Sequence, residues 1–227
     1  MKVTVLLPSL NEEKSIAKAI DDIPVERFQN AGYDVEILVV DGGSSDKTIA
    51  IAAGKGARVI TAKRGYGRQY KAGFEKADGE IIVTADSDGS YPLADALTLV
   101  ELMEREKLDF ISTNRFAGMQ TGAMHHLNWI GNKVLTLLVN MLFRLSLKDS
   151  QSGMWVIRRS ALGKMKLVSD GMSLSEEIKI EAFEKLRSKE VDSRYVRRIG
   201  DIKLRRMRDG WGNVVHLVSM KRERMRR

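Results

Sequence analysis

Apolar, β-branched runs alternate with helical stretches through the first half of the chain, and this alternation limits the fold more than any other feature. "KVTVLLP" stops at Pro8 and is followed by "EEKSIAKAIDDI", whose Ile16, Ala19, Ile20 and Ile23 fall on one helical face. "VEILVVDGG" is a second apolar run broken by glycines, and "DKTIAIAAGKG" reads as a helix with Asp46 as its N-cap and a glycine exit. "ARVITA" gives a third strand, "YGRQYKAGFEKADG" a third helix and "EIIVTADSD" a fourth strand. Strands that are apolar throughout, rather than on alternate residues, are covered on both faces. These segments therefore predict a parallel sheet with helices on each side, a Rossmann-like α/β half.

Open α/β sheets bind ligands beyond the carboxyl ends of their strands. The loops there are "PSLNEE", "DGGSSD", "AKRGYGRQ" and "DSDGSYP". Turn chemistry favours the same residue types, so it is their coincidence on one edge that points to a site. A dinucleotide fingerprint would place glycines after the first strand, where "LPSLNEE" has none, and no Walker A sequence is present. The fourth strand runs directly into Asp86-Ser87-Asp88, where like charges repel unless something positive joins them. Two carboxylates at the end of a buried strand suit Mg²⁺ or Mn²⁺, which take hard oxygen donors together with substrate phosphates.

At 227 residues the default is a single domain. The absence of cysteine excludes a disulfide framework and a thiolate metal site, and fits a reducing compartment. The opening "MKVTVLLPSLNEE" reaches acidic residues after one short apolar run, so no signal peptide is expected there. The net charge of +8 is concentrated late, in "RYVRRIGDIKLRRMRDG" and "KRERMRR". Such a segment suits an anionic partner, either a nucleic acid, a lipid surface or a phosphorylated substrate, and equally a solvated face with a disordered tail. Nucleic acid is the poorest of these, because it leaves the acidic strand ends unexplained and aromatic content is only 6%.

Six segments in one order, "VTVLLPSLNEEKSI", "ILVVDGGSSDKT", "RGYGRQYKAGFEKADGEIIVTADSDGSYP", "STNRFAG", "DSQSGMWVIRR" and "RRIGDIKL", resemble family 2 glycosyltransferases. The likeness is to the branch of dolichyl-phosphate mannose and glucose synthases and runs from Lys2 to about Gly212. It implies a GT-A fold, with a mixed, mainly parallel sheet flanked by helices. It also implies one catalytic domain over residues 1–212, divided into a nucleotide-sugar half (1–92) and an acceptor half (93–212), with a basic tail at 213–227. The resemblance puts Pro8, Ser9, Asn11 and Glu12 with Asp41, Gly42, Ser44 and Asp46 around the nucleotide, and adds Gly65, Gly67 and Asp86 to the donor side. Gly42 departs from the commoner Val-Asp-Asp-Gly-Ser pattern by replacing its second aspartate, which bears on base preference. Asp86 and Asp88 match the metal and diphosphate motif, with Ser90 completing the metal shell. Asp88 and Arg115 are the implied catalytic residues. "TNRFAG" matches a loop whose Arg115 meets the acceptor phosphate, and Ser152, Glu176, Arg198 and Lys203 complete the acceptor and phosphate side.

The activity so implied is inverting transfer of a hexose or N-acetylhexosamine from a nucleotide diphosphate sugar to a polyprenyl (dolichyl-type) phosphate. The alternative is a GT-A enzyme acting on a soluble or glycan acceptor, which would need a base. A phosphate monoester is already mostly dianionic near neutral pH, so its site needs positioning and charge more than proton abstraction. None of His125, His126 and His216 lies in a strand-end motif. The segment Trp129 to Leu147 is interrupted by Gly131, Asn132, Lys133, Asn140 and Arg144, too polar to span a membrane. It reads either as an interfacial helix, with Trp129 and Phe143 near the headgroups, or as a core helix. With the basic end, the first reading places the protein in the cytoplasm, peripherally on the inner face of an anionic membrane, bound in a salt-sensitive way. A homo-oligomer is compatible with the sequence, which does not fix the oligomeric state.

Overall fold

The computed structural model describes residues 1–200 and 206–225 of the chain. The alternation is present as read. β1 (Lys2–Ser9) leads into α1 (Ile16–Asp21) and α2 (Val25–Asn30), and β2 (Asp34–Asp41) leads into α3 (Thr48–Gly54). β3 (Arg58–Thr61) precedes α4 (Tyr66–Lys76), and β4 (Ile81–Thr84) stops just short of Asp86. The second half adds α5 (Ala96–Arg105), β5 (Phe110–Met119), α6 (His126–Phe143), β6 (Trp155–Arg158), α7 (Leu174–Lys185), β7 (Ser188–Tyr195) and α8 (Arg206–Met225). Asp46 stands one residue outside the α3 cap, which is Lys47, yet its carboxylate still accepts the Thr48 N–H at 3.0 Å.

One seven-stranded sheet has the order β3-β2-β1-β4-β6-β5-β7. β3, β2, β1 and β4 are parallel neighbours, β6 runs antiparallel to both β4 and β5, and β7 lies parallel beside β5. Successive side chains of a strand point to opposite faces. Val3, Val5, Leu7, Val39, Ile81 and Val83 accordingly meet α1, α2, α3 and α5 on one face. Leu6, Leu38, Val40, Ile82 and Trp155 meet α4 and α7 on the other. Both faces are covered, which is why the strands are apolar throughout.

Two readings of the second half are corrected. "TNRFAG" is not a loop. It lies within β5, because β7 extends the sheet beside it, with an irregularity between Asn114 and Gly118. Nor does a separate tail begin at 213: α8 crosses position 212 and packs Leu217 and Met220 onto Leu135, Val139 and Phe143 of α6. Phe143, expected near lipid headgroups, is therefore buried. Helical structure continues through the start of "KRERMRR", as far as Met225.

α4 approaches the sheet closely because Gly73 faces it. A Cβ there would come to 2.3 Å from Leu6 Cδ1 and 3.0 Å from Val40 Cγ2. Gly73→Ala is expected to lower stability by about 1–3 kcal/mol through overpacking, measured as a lower urea midpoint with an unchanged slope.

Candidate functional site

The loops after β1 and β2 are stapled to one another. Asn11, in the left-handed region at φ 51°, donates its N–H to Ser44 Oγ at 2.8 Å, and its Oδ1 accepts the Ser45 N–H at 2.7 Å. The Glu12 N–H reaches Thr48 Oγ1 at 2.7 Å, and the Glu13 N–H reaches Asp46 Oδ2 at 3.1 Å. Asp41 accepts the N–H groups of Gly43 and Ser44, each at 2.9 Å, and also the Ser44 hydroxyl. Asp41, Ser44 and Asp46 thus shape this edge from within. Gln69, not singled out from sequence, donates its side-chain amide to Ser9 O and Val40 O, each at 2.8 Å. It also accounts for Gly42, where a Cβ would stand 3.0 Å from the Gln69 side chain. Gly65 and Gly67 pack against another loop: a Cβ on Gly67 would reach 2.2 Å from Ser169 O, and one on Gly65 2.8 Å from Asp170 O.

The acidic turn after β4 is pinned on several sides. The Ser87 hydroxyl donates to Pro8 O at 2.8 Å, joining the turn to the end of β1. Asp86 lies against Gly153, where a Cβ would be 3.2 Å from one carboxylate oxygen and 2.6 Å from Tyr66 Oη. Burial first, and then the Asp88 charge, push Asp86 up to about 7, while Arg115 and Arg198 pull it the other way. Asp88 Oδ1 accepts the Ser90 N–H at 2.9 Å as well as the Ser90 hydroxyl, so Ser90 braces Asp88 directly. Arg198 bridges the two loops, with Nη1 3.5 Å from Asp88 Oδ2 and Nη2 3.3 Å from Glu12 Oε1. The backbone follows it, since the Ile199 N–H donates to Asp88 O at 2.9 Å. Something positive does sit on the aspartate pair.

Behind this turn lies a buried ionic cluster. Arg115 donates from Nε to Asp149 Oδ2 at 2.7 Å and from Nη2 to Oδ1 at 2.9 Å. Although burial opposes it, the Arg115 guanidinium holds Asp149 down to about 2. Lys179, fully buried, donates to Asp149 O at 2.7 Å, and burial pushes its ammonium down to about 7. Glu176 accepts from Gln151 Nε2 at 2.9 Å through Oε2, while its buried Oε1 has no hydrogen-bond partner among the described residues. Ser152 Oγ pairs with Thr113 Oγ1 at 2.7 Å.

Residues 4–165 match the profile of glycosyl transferase family 2. The chain belongs to that family. It is 34% identical over 218 residues to the low-salt glycan biosynthesis hexosyltransferase Agl6 of Haloferax volcanii, covering 93% of this chain and 52% of that protein. The chain thus spans about half that relative's length. A dolichyl-phosphate hexose transferase from the same organism is 31% identical over 205 residues, covering 89% of this chain and 86% of its own. Glucosyl-3-phosphoglycerate synthase of Mycobacterium tuberculosis, solved with Mn²⁺ and UDP-glucose, superposes with a TM-score of 0.76 at 22% identity, over 97% of this chain and 78% of that one. The expected GT-A, mixed and mainly parallel architecture is borne out.

In this family 2 chain the structure brings Arg115, Ser152 and Glu176 into one region behind the aspartates, and sets Arg198 between Asp88 and Glu12. Lys203 lies outside the described residues. Sequence reading missed Gln69, Asp149, Gln151, Gly153 and Lys179. Three of these stood in the quoted "DSQSGMW", where the density of small polar residues just before a buried strand was the available signal. His125 caps α6, His126 stacks on Trp129, and His216 lies 3.5 Å from Glu177.

The donor set suits a divalent cation of the Mg²⁺ type. Among the described residues no group of three or more His, Cys, Asp or Glu is arranged to hold a metal. Asp86 and Asp88 are the two carboxylates at this turn, and phosphate oxygens and water would have to complete the shell, as in Mg²⁺ sites with phosphorylated substrates. Asp86 and Asp88 would hold it, with Ser90 fixing Asp88.

Burial pushes Glu176 up to about 8, so the folded chain keeps a proton that the unfolded chain releases above about 4.5. Over that window rising pH favours unfolding. Glu176→Gln removes the penalty and keeps an oxygen for Gln151. Its stability gain over the parent is expected to grow between pH 5 and pH 8 by roughly 1–4 kcal/mol, read from urea unfolding at both pH values. A gain independent of pH would mean that the carboxyl is ionised in the folded chain.

Proposed function

We propose that this chain transfers a hexose or N-acetylhexosamine from a nucleotide diphosphate sugar to a polyprenyl (dolichyl-type) phosphate, with inversion at the anomeric carbon. The observation that carries this reading is Arg198 laid on the acidic turn, 3.5 Å from Asp88, with the Arg115 charge also lowering the Asp86 carboxyl. The aspartates supply a cation site for the donor diphosphate, and the arginines supply charge for phosphate oxygens on the acceptor side. Mg²⁺ or Mn²⁺, when bound, offsets the charge that develops on the leaving nucleoside diphosphate. Two nitrogens of the Arg115 guanidinium are fixed by Asp149. Its Nη1 makes no protein hydrogen bond among the described residues and can donate to a phosphate. Attack by a phosphate oxygen on the anomeric carbon opposite the leaving group inverts it, with no proton to remove.

The competing reading, a soluble or glycan acceptor, needs a base on the attacking hydroxyl. No histidine contacts the aspartate turn among the described residues, and Glu176 keeps its proton up to about pH 8. The lipid phosphate is therefore the better match, and the dolichyl-phosphate hexose transferase among the relatives agrees with it. Among the described residues no helix is long and apolar enough to cross a membrane. On this reading the protein works peripherally, on the cytoplasmic face of an anionic membrane.

The test is a donor screen of radiolabelled nucleotide sugars with a short-chain polyprenyl phosphate and Mn²⁺ or Mg²⁺. Transfer to the lipid phosphate is expected, with abolition by excess EDTA. Asp88→Asn is expected to lower turnover by at least about 100-fold without changing the thermal midpoint. Undiminished activity in EDTA would remove the metal from the scheme.

Arg115 needs a conservative change, because Arg115→Ala would leave Asp149 buried and unpaired at a cost of about 3–5 kcal/mol. Arg115→Lys keeps the charge and loses the paired geometry. It is expected to raise the KM for the acceptor about tenfold or more while leaving donor affinity within about twofold, a loss typical of one charged hydrogen bond. The opposite split would move Arg115 to the donor side.

A further inference from the structure

The outer face of α6 is inverted relative to an ordinary surface helix. Leu127, Ile130, Val134, Leu137 and Met141 recur at intervals of three and four and are all exposed, Leu137 at 57% and Met141 at 60%. Every exposed residue of α6 from Leu127 to Met141 is apolar or glycine, a strip about 21 Å long at 1.5 Å per residue. The polar residues that interrupt this helix in sequence turn inward. Asn140 bonds Leu147 through both its amide nitrogen and its oxygen, at 2.8 and 3.0 Å. Asn132 donates to Met124 Sδ, and the Lys133 ammonium lies 3.7 Å from the centre of the Phe116 ring.

α8 lies against α6 and adds to it a shorter apolar stretch. Trp211, Val215 and Val218 are exposed at the same helical spacing, Trp211 at 71%, before Ser219, Arg222 and Glu223 make the exposed side polar. Single exposed apolar residues are ordinary, but an apolar strip of this length along α6, with further exposed apolar residues on the helix packed beside it, marks a contact surface.

We propose that the outer faces of α6 and α8 form one platform that inserts into the interfacial layer of a lipid bilayer. The choice of lipid as occupant rests on the lipid-phosphate reading and on two features of the molecule. The first is continuity with the acceptor region. The Thr136 and Ser150 hydroxyls pair at 3.1 Å, and Asn213 of α8 donates to Gln151, which in turn donates to Glu176. The platform is therefore bonded directly to the loop that carries Asp149 and Ser152. The second is charge. At a net charge of +8, with exposed Arg144 and Arg222 beside the apolar strips, one copy repels another and is attracted to an anionic surface.

Apolar area, rather than the basic end, carries the attachment. Arg224 pairs with Glu181 and Glu184, Glu223 pairs with Lys166, and Lys221 lies over the Phe143 ring. Salt should consequently weaken binding only modestly.

The experiment is vesicle flotation of the full chain on phosphatidylcholine alone and with 30% phosphatidylglycerol, in about 0.1 M and 1 M salt, followed by sedimentation without lipid. The parent is expected to float on both vesicles and to retain at least half of its binding in high salt. L137E/M141E and V215E/V218E, all at exposed positions, are each expected to weaken binding tenfold or more. Both should keep the parent's circular dichroism and its turnover on a short, soluble polyprenyl phosphate. No flotation of the parent, or flotation unaffected by both variants, overturns the platform. So does a dimer that L137E/M141E separates while the parent ignores vesicles, since the face would then belong to a second copy. Flotation without sugar transfer to any lipid phosphate would leave the platform standing and defeat the acceptor reading. Transfer to the short acceptor without flotation would do the reverse.

Discussion

Asp149 is where the second half of the chain is held together. Its carboxylate accepts three N–H groups from Arg115 on β5, its carbonyl accepts the Lys179 ammonium from α7, and its own N–H donates to Glu190 on β7. Three elements of the chain, β5, α7 and β7, therefore meet on one residue in the loop between α6 and β6. Removing a pair of charges from water carries a penalty of several kcal/mol per ion, repaid only when geometry and further hydrogen bonds are good. An apolar cluster of the same volume would serve stability at least as well. What the cluster supplies instead is a fixed guanidinium at the end of the sheet, oriented by a carboxylate that cannot itself take up a proton near neutral pH.

The loops after β1 and β2 are held differently, by hydrogen bonds among Asn11, Asp41, Ser44, Asp46 and Thr48. The turn after β4 has too many carboxylates for its surroundings, and Arg198 compensates by spanning Glu12 and Asp88. Rigid loops on one side and a basic segment laid across the acidic turn on the other give an edge that is preformed where it would hold a base and charge-balanced where it would hold a diphosphate.

The first half of the fold was legible because β1, β2 and β4 carry continuous apolar runs buried on both faces, which leave no other packing, and β3 at the edge follows the same alternation. β7, "SKEVDSRY", was not, because an edge strand with half-exposed residues carries no apolar signal and is recognised only by its partner β5. That same partner turned "TNRFAG" from an expected loop into strand. Within the site, Asp86, Asp88 and Arg198 were readable from motif and charge. Gln69 and Asp149 were not, since each acts on groups some thirty residues away and neither spacing nor composition reports such a contact. Gly42 looked like a lost aspartate in the sequence, whereas in the fold its missing side chain makes room for Gln69.

α6 left two readings open, an interfacial helix or a core helix, and the structure shows why periodicity could not choose. Leu135, Val139 and Phe143 face inward against α8 and Ile180, while Leu127, Val134, Leu137 and Met141 face out. Both faces are apolar, so the helix has little amphipathic contrast to read. Its polar residues lie off the outer strip: Thr136 and Asn140 meet the loop that carries Asp149, and Asn132 and Lys133 meet Met124 and Phe116. A helix designed only to cover the sheet would carry charge on its outer face, and one designed to span a bilayer would not carry Asn132, Lys133 and Asn140 at all. The arrangement fits a helix with an apolar neighbour on each side and a polar attachment between them. Its inner face belongs to the protein's core, and Thr136 and Asn140 tie it to the loop that carries Asp149.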